Sequence, residues 1–150
     1  MPYIYISVAL QACGGYPISK QMSWGTVYYW MAFHDIKASY GFKNLSSLQK
    51  DGIFYAEKAG LYLVVVNIMS STSNSKIKII SYTVDRKVNL LSMVQIVPLY
   101  SRLGSGITMY HSGTGSAVVQ LGFNDTLYIE PSDIRSTYSS ANCLTIVKLK

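Results

Sequence analysis

Gly60-Leu61-Tyr62-Leu63-Val64-Val65-Val66, Gly115-Ser116-Ala117-Val118-Val119-Gln120-Leu121 and Asn124-Asp125-Thr126-Leu127-Tyr128-Ile129 decide how this chain folds. Each is a short β-branched and aromatic run bounded by turn-forming residues, the signature of a strand. Working outward, helical periodicity is nearly absent, and short apolar runs recur between clusters of Gly, Ser, Asn and Asp. The spacing predicts strands over residues 4–12, 26–32, 53–56, 60–70, 76–84, 90–98, 116–121, 126–130 and 143–149. Many short strands of this kind make an all-β sandwich or barrel. Cys13-Gly14-Gly15 and Asp51-Gly52 read as turns that tolerate positive φ. Ser70-Ser71-Thr72-Ser73-Asn74-Ser75 reads as a polar loop, and Gly122-Phe123-Asn124-Asp125 as a hairpin connection. With no internal repeat, linker or Gly-X-Y stretch, residues 1–150 read as a single domain.

Side-chain alternation carries the next inference. In the fifth predicted strand Ile77, Ile79, Ser81 and Thr83 point one way, and Lys76, Lys78, Ile80, Tyr82 and Val84 the other. Gly60 to Val66 does not alternate. A strand apolar on both sides has the core on one face and a second buried surface on the other. In a free monomer that second face would be wet, so the pattern predicts an oligomer. Composition agrees: hydrophobic residues make up 49% and charged residues only 13%, against a usual charged share of about a quarter. No apolar run reaches the roughly 20 residues that span a bilayer; the longest, Leu61 to Met69, already contains Asn67. A subunit interface is the simplest home for the surplus. Thirteen tyrosines suit it, each with an apolar face and a polar tip. Trp24, Tyr28, Tyr29, Trp30 and Phe33 read as core and interface packing in preference to a sugar-stacking platform.

The net charge of +6 is scattered, with no run of five basic residues, so a nucleic-acid arm is not expected. The dispersed lysines read as a solvated basic surface, or as a mild preference for anionic ligands such as sialylated or sulfated glycans or bacterial polysaccharide. Residues 1–12 resemble a signal h-region only superficially. They lack a positive n-region, and Tyr3 and Ser7 interrupt them at strand period. Ile4 to Ala12 is expected to be the first strand, with Met1 a start residue and any secretion signal removed.

In this order the segments resemble the globular head of the complement C1q family. Phe54 stands before Gly60-Leu61-Tyr62 as the family's Phe stands before its Gly-x-Tyr strand. Gly113 to Leu121 matches its small-residue start and apolar strand, and Asn124-Asp125-Thr126-Leu127-Tyr128-Ile129 its Gly-Asp-x-Val-Trp-Val. Ser7-Val8-Ala9-Leu10 is similar to its early Ala-Phe-Ser-Ala strand. The chain departs at Ala141-Asn142-Cys143-Leu144, where the family has Phe-Ser-Gly-Phe-Leu. The collagen stalk of C1q is missing, so complement triggering is not implied. The resemblance implies a ten-stranded-type jelly-roll β-sandwich of the C1q/TNF-like kind, a homotrimer, secreted and extracellular, that binds and is not an enzyme. It is closest in kind to stalkless invertebrate C1q-domain proteins, many of them lectins or pattern-recognition proteins of innate immunity. Tumour-necrosis-factor ligands share the fold but usually carry a membrane anchor, of which this sequence shows none. Secreted jelly rolls often set the first and last strands side by side. Cys13 and Cys143 would then be bridged, or else be two free buried thiols; both readings stand open.

Catalysis finds no support. His34 and His111 are the only histidines, and Asp35, adjoining His34, would face the other side of a strand. Gly113-Thr114-Gly115 lacks the helix and lysine of a phosphate loop and reads as a turn. No zinc spacing occurs and the seven acidic residues show no EF-hand pattern. Some C1q-family trimers hold calcium near their apex; with so few acids here no cofactor is expected.

Ligand-binding candidates lie in two loops. The first runs from Pro131 to Asn142 and offers Arg135, Tyr138, Ser139, Ser140 and Asn142. A guanidinium can bind a carboxylate bidentately, a tyrosine face packs sugar C–H groups, and Ser or Asn fixes hydroxyls. The second offers Arg102, Tyr110 and His111. Ordinary polar surface is the competing reading for both. Asn44-Leu45-Ser46 and Asn124-Asp125-Thr126 fit the N-glycosylation pattern. The expected function is a secreted lectin-like recognition protein that binds carbohydrate or a microbial surface through a trimeric head, without nucleic acid or a membrane span. A matrix-forming trimer or a signalling ligand for a protein receptor are the alternatives.

Overall fold

Burial alternates along Gly60–Ser70. Gly60, Tyr62, Val64, Val66 and Ile68 are buried, while Leu61, Leu63, Val65 and Met69 are half-buried and Asn67 exposed. Around this strand the computed structural model describes residues 8–21, 25, 27–70, 75–83, 86–96, 111–131 and 141–150. They form β1 (Ala9–Gln21), β2 (Val27–Tyr40), α1 (Ser46–Asp51), β3 (Phe54–Tyr55), β4 (Gly60–Ser70), β5 (Ser75–Thr83), β6 (Arg86–Ile96), β7 (His111–Leu121), β8 (Thr126–Pro131) and β9 (Cys143–Lys148).

The strands make two sheets. One runs β2-β1-β9-β4-β7 and the other β3-β8-β5-β6. All pairings are antiparallel, and β9 lies between β1 and β4 while β8 lies between β3 and β5. Such crossovers between facing sheets make a jelly-roll sandwich. Nine strands are present among the described residues.

The core fills the space between the sheets. Leu10, Ala12, Met31, Phe33, Tyr62, Val64, Val66, Leu121, Leu144 and Ile146 meet Phe54, Ile79, Leu127 and Ile129, with Leu48 of α1 closing one side. Phe42, Phe54 and Tyr62 pack edge to face, with centroids 5.6 and 6.1 Å apart. The Tyr62 hydroxyl donates to the Lys58 carbonyl, and burial raises its pKa above the ordinary 10.0.

Several boundaries differ from the sequence reading, for identifiable reasons. Cys13-Gly14-Gly15 is not a turn but lies inside β1, which pairs with β2 up to Gln21 and Val27. Gly14 holds a φ of 69° within the strand. The His34 ring lies over it where a Cβ would sit, so this glycine serves a cross-strand contact. β2 continues to Tyr40 because its pairing with β1 overrides the weak strand preference of His34 and Asp35. The register steps from Gln11↔Ala38 to Ala12↔Ile36, leaving Lys37 as a bulge. Gly113-Thr114-Gly115 is likewise not a turn; it pairs with Val66, Asn67 and Ile68 inside β7. The helix α1 was not expected: six residues with one buried side chain, Leu48, are too short to show a helical period. Asn44 Oδ1 accepts from the Ser46 N–H and hydroxyl at 2.9 and 2.7 Å ahead of it. Gly52, at φ 70°, ends it left-handed as its sequence reading anticipates. β3, β4, β8 and β9 stand within a residue or two of their predicted bounds.

Cys13 and Cys143 form a disulfide across 130 residues, joining the neighbouring strands β1 and β9. Closing so long a loop restricts the unfolded chain far more than the folded one. Replacing both cysteines by serine is expected to lower the unfolding free energy by about 4–5 kcal/mol, read as a shifted midpoint in guanidinium titrations.

Candidate functional site

Three surfaces carry chemistry among the described residues. The first is the outer face of the five-stranded sheet. Leu61, Leu63 and Val65 of β4 project there, opposite the buried Tyr62, Val64 and Val66. Leu63 pairs with Val118 of β7 and with Val147 of β9. Val118 is 56% exposed. Leu149 bonds back to Leu61 through its N–H at 2.7 Å, extending the apolar strip. Gln11, Thr114, Ser116 and Gln120 surround it with uncharged polar groups. An apolar centre with a polar rim is how protein–protein interfaces are built.

The second is a groove of about 400 Å³ near the β7–β8 turn. Its walls come from the segment after β2, from β3 and the residues following it, and from the turn, including Lys43, Tyr55, Glu57, Lys58, Phe123 and Asn124. The turn is held rigidly. Asn124 donates its N–H to the Ala56 carbonyl at 2.8 Å, and Ala56 donates to the Asp125 carbonyl at 2.9 Å. The buried Asp125 carboxylate accepts from the Gly122 N–H at 2.6 Å. Asn124 takes a positive φ of 64°, a region that Asn tolerates. This latch leaves Phe123 66% exposed, with Tyr55 45% exposed on the same groove. Glu57 is also fixed: its two carboxylate oxygens accept the Lys43 N–H at 2.8 and 2.9 Å. Both asparagines of the glycosylation patterns, Asn44 and Asn124, are exposed and line this groove.

The third is an aromatic row. Tyr128 stacks on Tyr82 with centroids 5.6 Å apart, and Trp30 meets Tyr128 edge on at 6.5 Å. Trp30 is half-buried and its indole N–H donates to the Asp51 carbonyl. It packs at the margin of the sandwich and ties β2 to α1.

Of the loop candidates, Arg102, Tyr110, Arg135, Tyr138, Ser139 and Ser140 lie outside the described residues. His111 opens β7 opposite Ser70. Asn142 corrects the sequence reading, for it is fully buried. Its Oδ1 accepts the Met69 N–H at 2.8 Å and its Nδ2 donates to the Gly15 carbonyl at 3.0 Å. The Gly15 N–H in turn donates to its carbonyl at 3.1 Å. The side chain staples β1 to β4 from a position closed to solvent, where a ligand cannot reach it. The groove residues Tyr55, Glu57, Lys58 and Phe123 were missed. The one available signal was Phe123, an aromatic side chain in a turn too tight to bury it.

His34 and Asp35 diverge as strand neighbours do. His34 Nδ1 lies 2.9 Å from the Gly14 carbonyl oxygen, and Asp35 pairs with Lys37 at 2.7 Å. Among the described residues no group of three or more His, Cys, Asp and Glu could hold a metal ion, and no helix is long and apolar enough to cross a membrane.

Solved structures share this architecture. Murine APRIL superposes with a TM-score of 0.65 at 13% identity, covering 95% of this chain and 98% of that one. The globular domain of zebrafish complement 1qA protein gives 0.62 at 16% identity, covering 95% and 96%. The Eiger TNF of S. frugiperda gives 0.63 at 15%, covering 97% and 94%. The fold is thus the C1q/TNF-like jelly roll. No family model matches the sequence, and no curated protein matches it significantly.

Asn142→Ala is expected to cost about 2–3 kcal/mol of stability, since it strands the Met69 N–H and the Gly15 carbonyl in the interior; denaturant unfolding of the variant measures it.

Proposed function

We propose that this chain is a secreted, homotrimeric recognition head that binds carbohydrate or microbial-surface ligands multivalently. The observation that carries the assembly is the outer face of the five-stranded sheet. Strand β4 there is apolar on both sides, and Val118 of the neighbouring β7 stands 56% exposed beside it. Another copy of the chain would cover it. The C1q/TNF-like fold supports that occupant over any other. The disulfide between Cys13 and Cys143 supports an extracellular setting, since such bonds persist in oxidising compartments.

Three weak sites on one rigid head gain avidity without any new contact. A recognition role of this kind needs no catalytic group. The basic surface, with a net charge of +6, favours acidic glycans.

Two measurements test this reading. Light scattering on purified protein is expected to give three times the chain mass. Val118→Glu, at an exposed position, is expected to leave each chain folded but to give monomers, because a carboxylate would be buried without a partner. A trimeric Val118→Glu protein would place the interface elsewhere. A glycan array carrying sialylated, sulfated and neutral sugars is expected to show selective binding by the trimer and loss of most signal from monomers. An intact trimer with a blank array points instead to a matrix-forming role or a protein receptor.

A further inference from the structure

We infer that the groove walled by Lys43, Tyr55, Glu57, Lys58, Phe123 and Asn124 is a seat for an acidic saccharide, an inference that rests on the carbohydrate reading above and gives it a site. Four features of the groove support this, and each supplies a different part of what a sugar needs.

The first is size. A volume of about 400 Å³ is within the range of small-ligand sites, and it admits a short saccharide. The second is an apolar face. Phe123 is 66% exposed and Tyr55 45% exposed, both on one groove. Leaving a phenyl ring in water is unfavourable, and the C–H face of a sugar ring would cover it. The backbone that carries Phe123 is fixed, because the Ala56–Asn124, Ala56–Asp125 and Gly122–Asp125 hydrogen bonds hold its turn. Little backbone ordering entropy would be lost on binding.

The third is an oriented acceptor. Glu57 is held in place by the Lys43 N–H at 2.8 and 2.9 Å, with the Asn44 N–H at 3.5 Å. A carboxylate accepts about four hydrogen bonds. Its remaining acceptor capacity can take a sugar hydroxyl, since Glu57 lines the groove. The fourth is charge. Lys43 and Lys58 both line the groove and are exposed. The one ion pair among the described residues is Lys37–Asp35, so neither ammonium is spent on Glu57. Two cations against one carboxylate already bonded to backbone leave the groove positive. A sugar bearing a carboxylate or sulfate would satisfy them.

The test uses the full chain made without N-glycosylation, so that no glycan on Asn44 or Asn124 fills the groove. Array binding is followed by titration with the best acidic glycan and its neutral analogue. Phe123→Ala is expected to weaken binding by about tenfold or more without lowering the melting temperature, because the ring is mostly exposed. Joint reversal by Lys43→Glu and Lys58→Glu is expected to remove the preference for the acidic sugar and flatten the dependence of affinity on salt. Unchanged affinity in both variants, with loss of binding in Arg135→Ala or Tyr138→Ala, overturns the groove and leaves the carbohydrate reading standing. A protein that binds no glycan at all overturns both.

Discussion

The structure depends on β4, a strand that is apolar on both of its faces. One side carries Tyr62, Val64, Val66 and Ile68 into the core, and the other presents Leu61, Leu63 and Val65. A strand of this kind cannot sit at an edge, where one row of backbone groups would also be left unpaired. It lies between β9 and β7, pairing with β7 along its whole length, from Gly60↔Leu121 to Ser70↔His111. That position forces β9, the last strand, between β4 and β1, and so ties the two ends of the described chain together.

The consequences are visible where the ends meet. Gly60 starts β4 directly against the backbone of Lys150 and the side chain of Lys148, so a Cβ there has no room. Leu61 and Lys150 complete the contact with an N–H to carbonyl bond of 2.9 Å. At the other end of β9 the disulfide and the Asn142 amide hold β1, β4 and β9 in register. Buried polar groups of this kind stabilise a fold when they are hydrogen-bonded, and both the Oδ1 and the Nδ2 of Asn142 are. Ser81 is the exception: its hydroxyl is buried on β5 with no hydrogen-bond partner among the described residues.

How much of this was legible in the sequence follows from the range of each interaction. β3, β4, β8 and β9 are encoded locally, by β-branched runs with turn residues on both sides, and their bounds could be read directly. β1, β2 and the first half of β7 could not. Gly14, Gly15, His34, Asp35, Gly113 and Gly115 argue against strand by propensity, and they are strand because a long partner pairs with them. The helix α1 was hidden for another reason: its fixed points, Leu48 in the core and Gln49 reaching the His34 carbonyl at 3.1 Å, are tertiary. The groove illustrates the same limit. Asn44 and Glu57 are local to one another, but Phe123 joins them only because the β7–β8 turn is latched to Ala56. Asn142, in contrast, looked like a ligand residue by type and position. Only its burial shows that a polar side chain in a serine-rich stretch can belong wholly to the framework.

The two proposed activities fall on separate parts of the fold, and this separation is itself informative. The apolar strip belongs to the outer face of the five-stranded sheet, on β4, β7 and β9. The groove draws its walls from β3, from the segment after β2 and from the turn that follows β7, and it shares no lining residue with the strip. Assembly through the sheet would therefore bury apolar surface without consuming Phe123, Tyr55 or the lysines. Each copy would contribute one groove at a position fixed by the rigid turn. Avidity depends on such geometry, since linked sites reinforce one another only when their spacing is set and all can be engaged together. An apolar face that a second copy could cover, and a groove that shares no residue with it, are the two parts the proposed multivalent head would use.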